Sequence, residues 1–468
     1  MPTDCFVTVA YHLFMPFFNF ADYKQHYIQL IKIGLPIVLG QVGVIVLGFA
    51  DTIMIGHHTT VELAAASLVN NIFNLAIIFG TGFAYGLTPL VGELFGRGDR
   101  DKIGALLKGS LLANTIVALI ITAVMTVVYL NIDNMGQPDE LMKYVKPYYI
   151  IILVSIFFVM IFNSFKQFAD GITDTRTAMW LLIIGNVMNI AGNYVLIYGK
   201  FGCPELGLVG AGLSTLASRV AMVLLFVIIF VRSERYAVYR RGFAKASFDR
   251  VIFRRLNSLG WPVAFQMGME GASFNLSAIM VGWLGSLALA AHQIAVTFST
   301  LSYMVIYGMG AATSIRVSYF VGQSDYVSVR RSAFAGFHLS MVIIIMVSIV
   351  FALLRNDMGY WFTDNAEVAA ITSGLVFIVM LYQFGDATQI VFANSLRGIS
   401  DVKPMMFIAF FAYFVVSLPV GYFLGFVVDL GIYGIWLAYP IGLTTAGVLF
   451  FLRFNRKTSL TKVSRLSS

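Results

Sequence analysis

The sequence predicts an all-α polytopic membrane protein: twelve transmembrane helices in two six-helix lobes, related by pseudo-two-fold symmetry along the membrane normal. Three observations carry this. First, 59% of the 468 residues are hydrophobic and only 12% are charged, against roughly 25% charged in a soluble domain. With a mean hydropathy of +0.84, the chain has too little polar surface for a water-soluble globule. Second, it divides into twelve apolar runs, each near or above the roughly 20 residues that a bilayer crossing needs. Third, its second half repeats its first at a near-constant spacing.

The predicted spans are 31–56, 63–92, 105–130, 142–163, 177–198 and 208–231, then 258–283, 287–317, 331–354, 367–392, 404–426 and 433–453. The longest polar stretch, RSERYAVYRRGFAKASFDRVIFRRLN (232–257), separates six spans from six. The organisation expected is an N-terminal cytoplasmic or interfacial segment (1–30), an N-lobe (31–231), a cytoplasmic linker (232–257), a C-lobe (258–453) and a cytoplasmic tail (454–468). Of the 31 Lys and Arg, 26 fall on the side that holds the termini and the linker, and only Lys143, Lys146, Lys200 and Arg355 mark the other. Basic residues concentrate on the cytoplasmic side of membrane proteins, so both termini are expected there. The net charge of +8 is accounted for by these short loops and gives no reason to expect nucleic acid. The first 20 residues carry no Lys or Arg and no small-residue cleavage site, unlike a signal peptide. They read either as an interfacial segment or as sequence ahead of an alternative start at Met15. Cys5 and Cys203 form neither a disulfide framework nor a metal motif.

The repeat is explicit. At an offset of 226, Pro36 falls on Pro262, TIMIG (52–56) on AIMVG (278–282), LAA (63–65) on LAA (289–291), Gly82 on Gly308 and Gly96 on Gly322. At 227, DGITD (170–174) falls on RGISD (397–401), and at 224, LGLVG (206–210) falls on LGIYG (430–434). Six spans per half return the chain to the same side, so the repeat is parallel. Transporters are commonly built this way, with the substrate site between the repeats.

Ionisable residues inside spans are costly and mark function by default. In the C-lobe, Gln266 and Glu270 share a face of the seventh span, and Tyr382, Asp386 and Gln389 share a face of the tenth. Two carboxylates and a phenol on two helices suit a hard cation such as Na⁺, or else are two separate protonated structural acids. Two carboxylates brought close require a counter-charge, a bound cation or a proton. In the N-lobe, Asp51 interrupts VLGFADTIMIG (46–56), and the fifth span presents Asn186, Asn189 and Asn193 on one face. Asp51 with Asn189 and Asn193 forms a second candidate site, and Asn186 is expected to glue helices together. Pro36 and Pro262 are candidate hinges. Gln293 is a candidate cavity-lining residue and its neighbour His292 a packed or interfacial one. Arg219 is expected to snorkel or to pair within the bundle. A Walker lysine loop, HExxH and GxSxG are all missing from the sequence, so an enzyme is not expected, and neither is a cofactor.

At this point the chain resembles the multidrug and toxic compound extrusion (MATE) family of transporters, of the bacterial NorM type. The resemblance runs from about residue 25 to 455. Its specific parts are FADTIMIG (49–56), WPVAFQMGMEGASF (261–274) and YQFGDATQIVFANSLRGISD (382–401). It implies two lobes around a central cavity and export of organic cations and drugs, driven by Na⁺ or H⁺, from a monomer in the bacterial inner membrane. Glu270, Tyr382 and Asp386 match the family's C-lobe cation-binding residues, and Asp51, Asn189 and Asn193 its N-lobe polar site. Some relatives carry an acid where this chain has Asn193. That leaves Asp51 as the lone N-lobe carboxylate and favours Na⁺ coupling at the C-lobe. A rival within transport is a lipid-linked saccharide flippase, for which a strongly basic cavity would be expected.

Overall fold

The computed structural model describes residues 20–136 and 138–459. Met15, Cys5 and most of the tail lie outside the described residues. The described chain is helical throughout, with short turns. The N-lobe comprises α1 (Phe20–His58), α2 (Thr60–Ala84), α3 (Leu87–Arg97), α4 (Arg100–Leu130), α5 (Asp139–Gly171), α6 (Thr175–Ile197) and α7 (Gly207–Arg232). A short helix, α8 (Ala237–Lys245), lies in the linker. The C-lobe comprises α9 (Arg250–Gly282), α10 (Ser286–Gly322), α11 (Tyr326–Met358), α12 (Ala366–Gly398), α13 (Lys403–Val427) and α14 (Gly431–Thr458). Polar residues in the turns start several helices by accepting orphan N–H groups: Thr59 from Glu62, Asp249 from Val251, Asp325 from Ser328 and Asn365 from Glu367.

Among the described residues, eleven helical stretches are long and apolar enough to cross a membrane, α2 and α3 together forming one of them. The remaining long helix, α9, has 33 residues but is diluted by Gln266, Glu270, Asn275 and its basic first turns. That polarity is what makes it a candidate for function.

The structure differs from the sequence expectation in several places. The second span breaks at Tyr85–Gly86, where a side chain on Gly86 would meet the Gly260 backbone nitrogen at 2.7 Å; two helices cross there too closely for a Cβ. α1 begins at Phe20 rather than 31, because Tyr23, His26 and Leu30 are buried in the packing with α10 and α11. Residues 164–171 and 393–398, expected as connections, are the buried last turns of α5 and α12. Hydropathy ends a span at polar residues even when those residues face protein. α13 contains two π-helical stretches, Phe411–Ser417 and Phe423–Val427. α1 and α9 run unbroken through Pro36 and Pro262.

Two crossed pairs, α1 on α10 and α2 on α9, join the lobes, flanked by α3 on α10 and α11 on α1. The offset of 226 carries α1 onto α9 and α2 onto α10, so each pair is the image of the other under a two-fold. The inter-lobe contacts gather on the half of the bundle nearest the linker. His26 meets Ser332 at 3.0 Å and Tyr27 meets His338 at 2.8 Å. Arg331 pairs with Asp22 at 3.2 Å and Arg255 with Glu93 at 2.7 Å. Gly92 and Gly96 of α3 lie against Ser318, Tyr319 and Gly322 of α10. Contact reaches mid-helix where Ile78 faces Gly271 and Val38 faces Gly308.

Candidate functional site

Three polar clusters sit inside the bundle. The first is in the C-lobe at mid-depth. Glu270 on α9 accepts hydrogen bonds from Gln266 Nε2 at 2.9 Å and Gln389 Nε2 at 3.1 Å, and Gln389 Nε2 also reaches Tyr413 Oη at 2.9 Å. Asp386 is buried on α12, within electrostatic reach of Glu270. Tyr382, one turn earlier, packs its ring beside Trp436 and Tyr439. A cavity of about 20 Å³ adjoins Glu270, lined also by Tyr303, Tyr307, Asn394 and Arg397. That is room for a single water-sized body.

The donor set suits a small hard cation. Besides the Glu270 carboxylate on the cavity, the amide oxygens of Gln266 and Gln389 are buried without a partner. Each amide now turns its nitrogen to the carboxylate. Rotated, each would turn an oxygen to that point instead, so the same residues could hold a cation there. Among the described residues no three His, Cys, Asp or Glu side chains converge.

The second cluster is in the N-lobe. Asn193 Nδ2 donates to Asp51 Oδ1 at 2.5 Å and to Asn189 Oδ1 at 3.1 Å, and Asn189 contacts Thr215 at 3.0 Å. In the alternative orientation the Asn189 nitrogen lies 2.9 Å from Asp51 Oδ1 and its oxygen faces Thr215, in place of the bond it accepts from Asn193, so either amide can donate to the carboxylate. Arg219 pairs within the bundle, its guanidinium 2.5 Å from Ser155 Oγ. Asp51 lies seven residues before the end of α1, roughly 10 Å at 1.5 Å per residue. Glu270 lies twelve before the end of α9, roughly 18 Å. The two sites therefore sit at different depths.

The third cluster is at the seam between the lobes and was missed from sequence. Lys166 and Asp170 pair at 2.9 Å, their side chains 13% and 5% exposed. Arg397 is buried, and its guanidinium carbon lies 4.9 Å from the centroid of the Tyr85 ring across the seam. Arg397 lines both this seam and the Glu270 cavity. The alignment of DGITD with RGISD contained the signal, an Asp and an Arg at equivalent positions. Tyr303, Tyr413 and Thr215 gave none, because hydroxyls within apolar spans do not stand out.

Of the remaining candidates, His292 is buried and takes the Trp436 indole N–H at 3.1 Å. Gln293, its neighbour, is exposed on α10. Asn186 is buried at the close approach of Gly43.

The MatE family profile matches the chain twice, over residues 36–195 and 262–423. The chain belongs to the MATE family. The two matched segments begin at Pro36 and Pro262, so the family unit and the internal repeat coincide. The multidrug resistance protein NorM of Photobacterium profundum is 32% identical over 445 residues, 93% of this chain and 96% of that protein. Among solved structures, an outward-facing multidrug resistance MATE transporter of the MOP superfamily superposes with a TM-score of 0.85 at 20% identity, covering 93% of this chain and 97% of its own. The eukaryotic MATE transporter AtDTX14 does so with a TM-score of 0.83 at 18% identity, covering 94% and 99%. This MATE transporter is thus a multi-pass membrane protein of two lobes.

Proposed function

We propose that this chain exports lipophilic organic cations and drugs from bacteria by antiport, in exchange for Na⁺ or H⁺ entering through its own carboxylates. Membership of the MATE family and the likeness to NorM support the substrate class. The observation that carries the coupling is Glu270 lining a cavity sized for one small cation, with the buried Asp386 within its electrostatic reach. Two carboxylates in a dry bundle favour whichever state supplies a counter-charge. An ion bound there lowers the free energy of one conformation relative to the other, and that difference is all that exchange requires. Oxygen donors favour Na⁺ among the cations, with protons competing for the same carboxylates. Asp51, held by Asn189 and Asn193, acts as the N-lobe partner site. The Lys and Arg bias supports placing the linker and termini in the cytoplasm, with the protein working as a monomer in the inner membrane.

Ethidium efflux from proteoliposomes under independently imposed Na⁺ and pH gradients tests this. Glu270→Gln and Asp386→Asn are each expected to lower gradient-driven efflux at least about tenfold, roughly 1.4 kcal/mol of lost coupling. Full efflux in both variants would remove the C-lobe from the mechanism, and efflux indifferent to Na⁺ at fixed pH would leave protons as the coupling ion.

A further inference from the structure

We infer that the crevice between the lobes on the linker face is a binding site for a phosphate-bearing anion, and that the bound anion holds this face closed. The crevice encloses about 400 Å³ between α1, the α5–α6 turn and α10. Four basic side chains line it, Lys32, Arg176, Arg235 and Arg316, against one carboxylate, Asp174, so its lining carries 4 − 1 = +3.

Asp174 is already engaged. It pairs with Arg235 at 2.9 Å and accepts the Tyr236 hydroxyl at 2.5 Å and the Thr177 hydroxyl at 2.8 Å. Among the described residues no carboxylate pairs with Lys32, Arg176 or Arg316. The Arg316 guanidinium lies on the Phe320 ring, 4.6 Å from its centroid, and its Nε is buried with no hydrogen-bond partner. A buried donor left unmade is expensive, and a ring-stacked guanidinium is a preorganised fork for phosphate. α6 opens onto the same crevice at Thr175 with no side chain capping its first turn, and free N–H groups at a helix start favour an anion.

The repeat supplies an internal comparison. Asp401 stands where Asp174 stands, at the offset of 227. It is met by Arg453 at 2.7 Å and Lys457 at 3.8 Å, so there the basic groups attend the protein's own acid. The surplus of cations at the N-lobe turn is therefore not a demand of the scaffold. Lys32, Arg176 and Arg235 come from the N-lobe side and Arg316 from the C-lobe, so an anion between them favours the conformation in which they converge. The volume exceeds a bare phosphate and admits an attached ester. Basic pockets between helices on the cytoplasmic side accept lipid headgroups, and a soluble phosphate ester offers the same chemistry.

The test uses the full-length protein in two arms. In detergent, thermal unfolding is followed against potassium phosphate, with potassium chloride at matched ionic strength. In nanodiscs, phosphatidylcholine alone is compared with phosphatidylcholine containing graded phosphatidylglycerol. A saturable rise in Tm of about 2–3 °C is expected in at least one arm, and the arm that responds identifies the source. Lys32→Gln/Arg176→Gln removes two exposed, unpaired charges, and Arg316→Gln removes the C-lobe contribution. Each is expected to shift half-saturation upward at least about tenfold, because each deletes charge-assisted bonds to the anion. If a variant's Tm in chloride departs from the parent's, calorimetric titration of the folded variant with phosphate decides instead. No saturable rise in either arm, or a rise of undiminished affinity in both variants, overturns the site.

Discussion

The linker-side seam of this MATE transporter makes a quantitative prediction at Gly96. In an isolated helix, Gly→Ala stabilises by about 1 kcal/mol. At this position the sign reverses. A Cβ on Gly96 would stand 3.0 Å from the Tyr319 carbonyl carbon and 3.3 Å from the Gly322 Cα, with the Tyr319 carbonyl oxygen nearer still. Carbon atoms rest at about 3.5–4.0 Å, and these neighbours are backbone, with no rotamer to swing aside. α3 and α10 must therefore separate. Overpacking of this kind costs about 1–3 kcal/mol. The strain exists only where the two helices touch, so it is relieved by parting the lobes on this side rather than by unfolding. The ratio of closed to open linker face is expected to fall about 5- to 150-fold. Ser314 reports on it, being 2% exposed on α10 beside the seam cavity. With Cys5 and Cys203 replaced by Ser, Ser314→Cys would be labelled by a membrane-impermeant maleimide only when the linker face opens. Gly96→Ala is expected to raise the labelling rate by the factor above, with the Tm close to the parent's. An unchanged rate, or a large loss of Tm without faster labelling, would mean that the seam is static packing and that the reasoning fails.

Two further outcomes follow from the same seam. Lys166→Met leaves the Asp170 carboxylate buried without its partner and should cost about 3–5 kcal/mol, whereas Lys166→Met/Asp170→Leu should recover much of that loss; thermal unfolding of the two variants side by side checks the order. Glu93→Gln breaks an inter-lobe pair whose Arg255 end is 49% exposed, so its effect on Ser314→Cys labelling should stay below about tenfold and shrink as salt rises from about 0.05 to 0.5 M.

The fold class was legible because lipid forces the sequence to declare itself. The long apolar runs and the offset of 226 agree with the helical, two-lobed architecture. Glu270, Asp386 and Asp51 were legible for the same reason, since a carboxylate inside an apolar span stands out. Gln266, Asn189 and Asn193 followed from spacing, whereas Gln389, expected on the Tyr382 and Asp386 face, donates to Glu270 instead. Helix ends were not legible. Lys166, Asp170 and Arg397 look like the edges of loops because hydropathy cannot tell a side chain facing water from one facing the other lobe. The break at Gly86 was equally silent, for it depends on Gly260, which lies 174 residues away in sequence.

The repeat explains why those hidden charges have the signs they have. In a two-fold arrangement, equivalent residues near the axis approach one another. Identical charges there would repel whenever the lobes closed, so a strictly duplicated seam could not bury ionisable groups on both sides. Here the equivalent positions hold Asp170 and Arg397, which line one small cavity together with Lys166 and Tyr85. Elsewhere the halves also share scaffold without sharing charge. Asp51 answers to Ser277 and Glu270 to Val44, whereas TIMIG and AIMVG or Gly96 and Gly322 keep backbone and packing alike. The matched glycines let the lobes pack closely here, and under the proposed antiport the unmatched charges would make that closure depend on what is bound. Arg397 joins the two roles, since it lines both the seam and the Glu270 cavity. Under the proposed coupling, a cation at Glu270 would change the field on Arg397, a buried guanidinium that also faces the opposite lobe. On that proposal the C-lobe site would act on the seam electrostatically, without a relay through the distant Asp51.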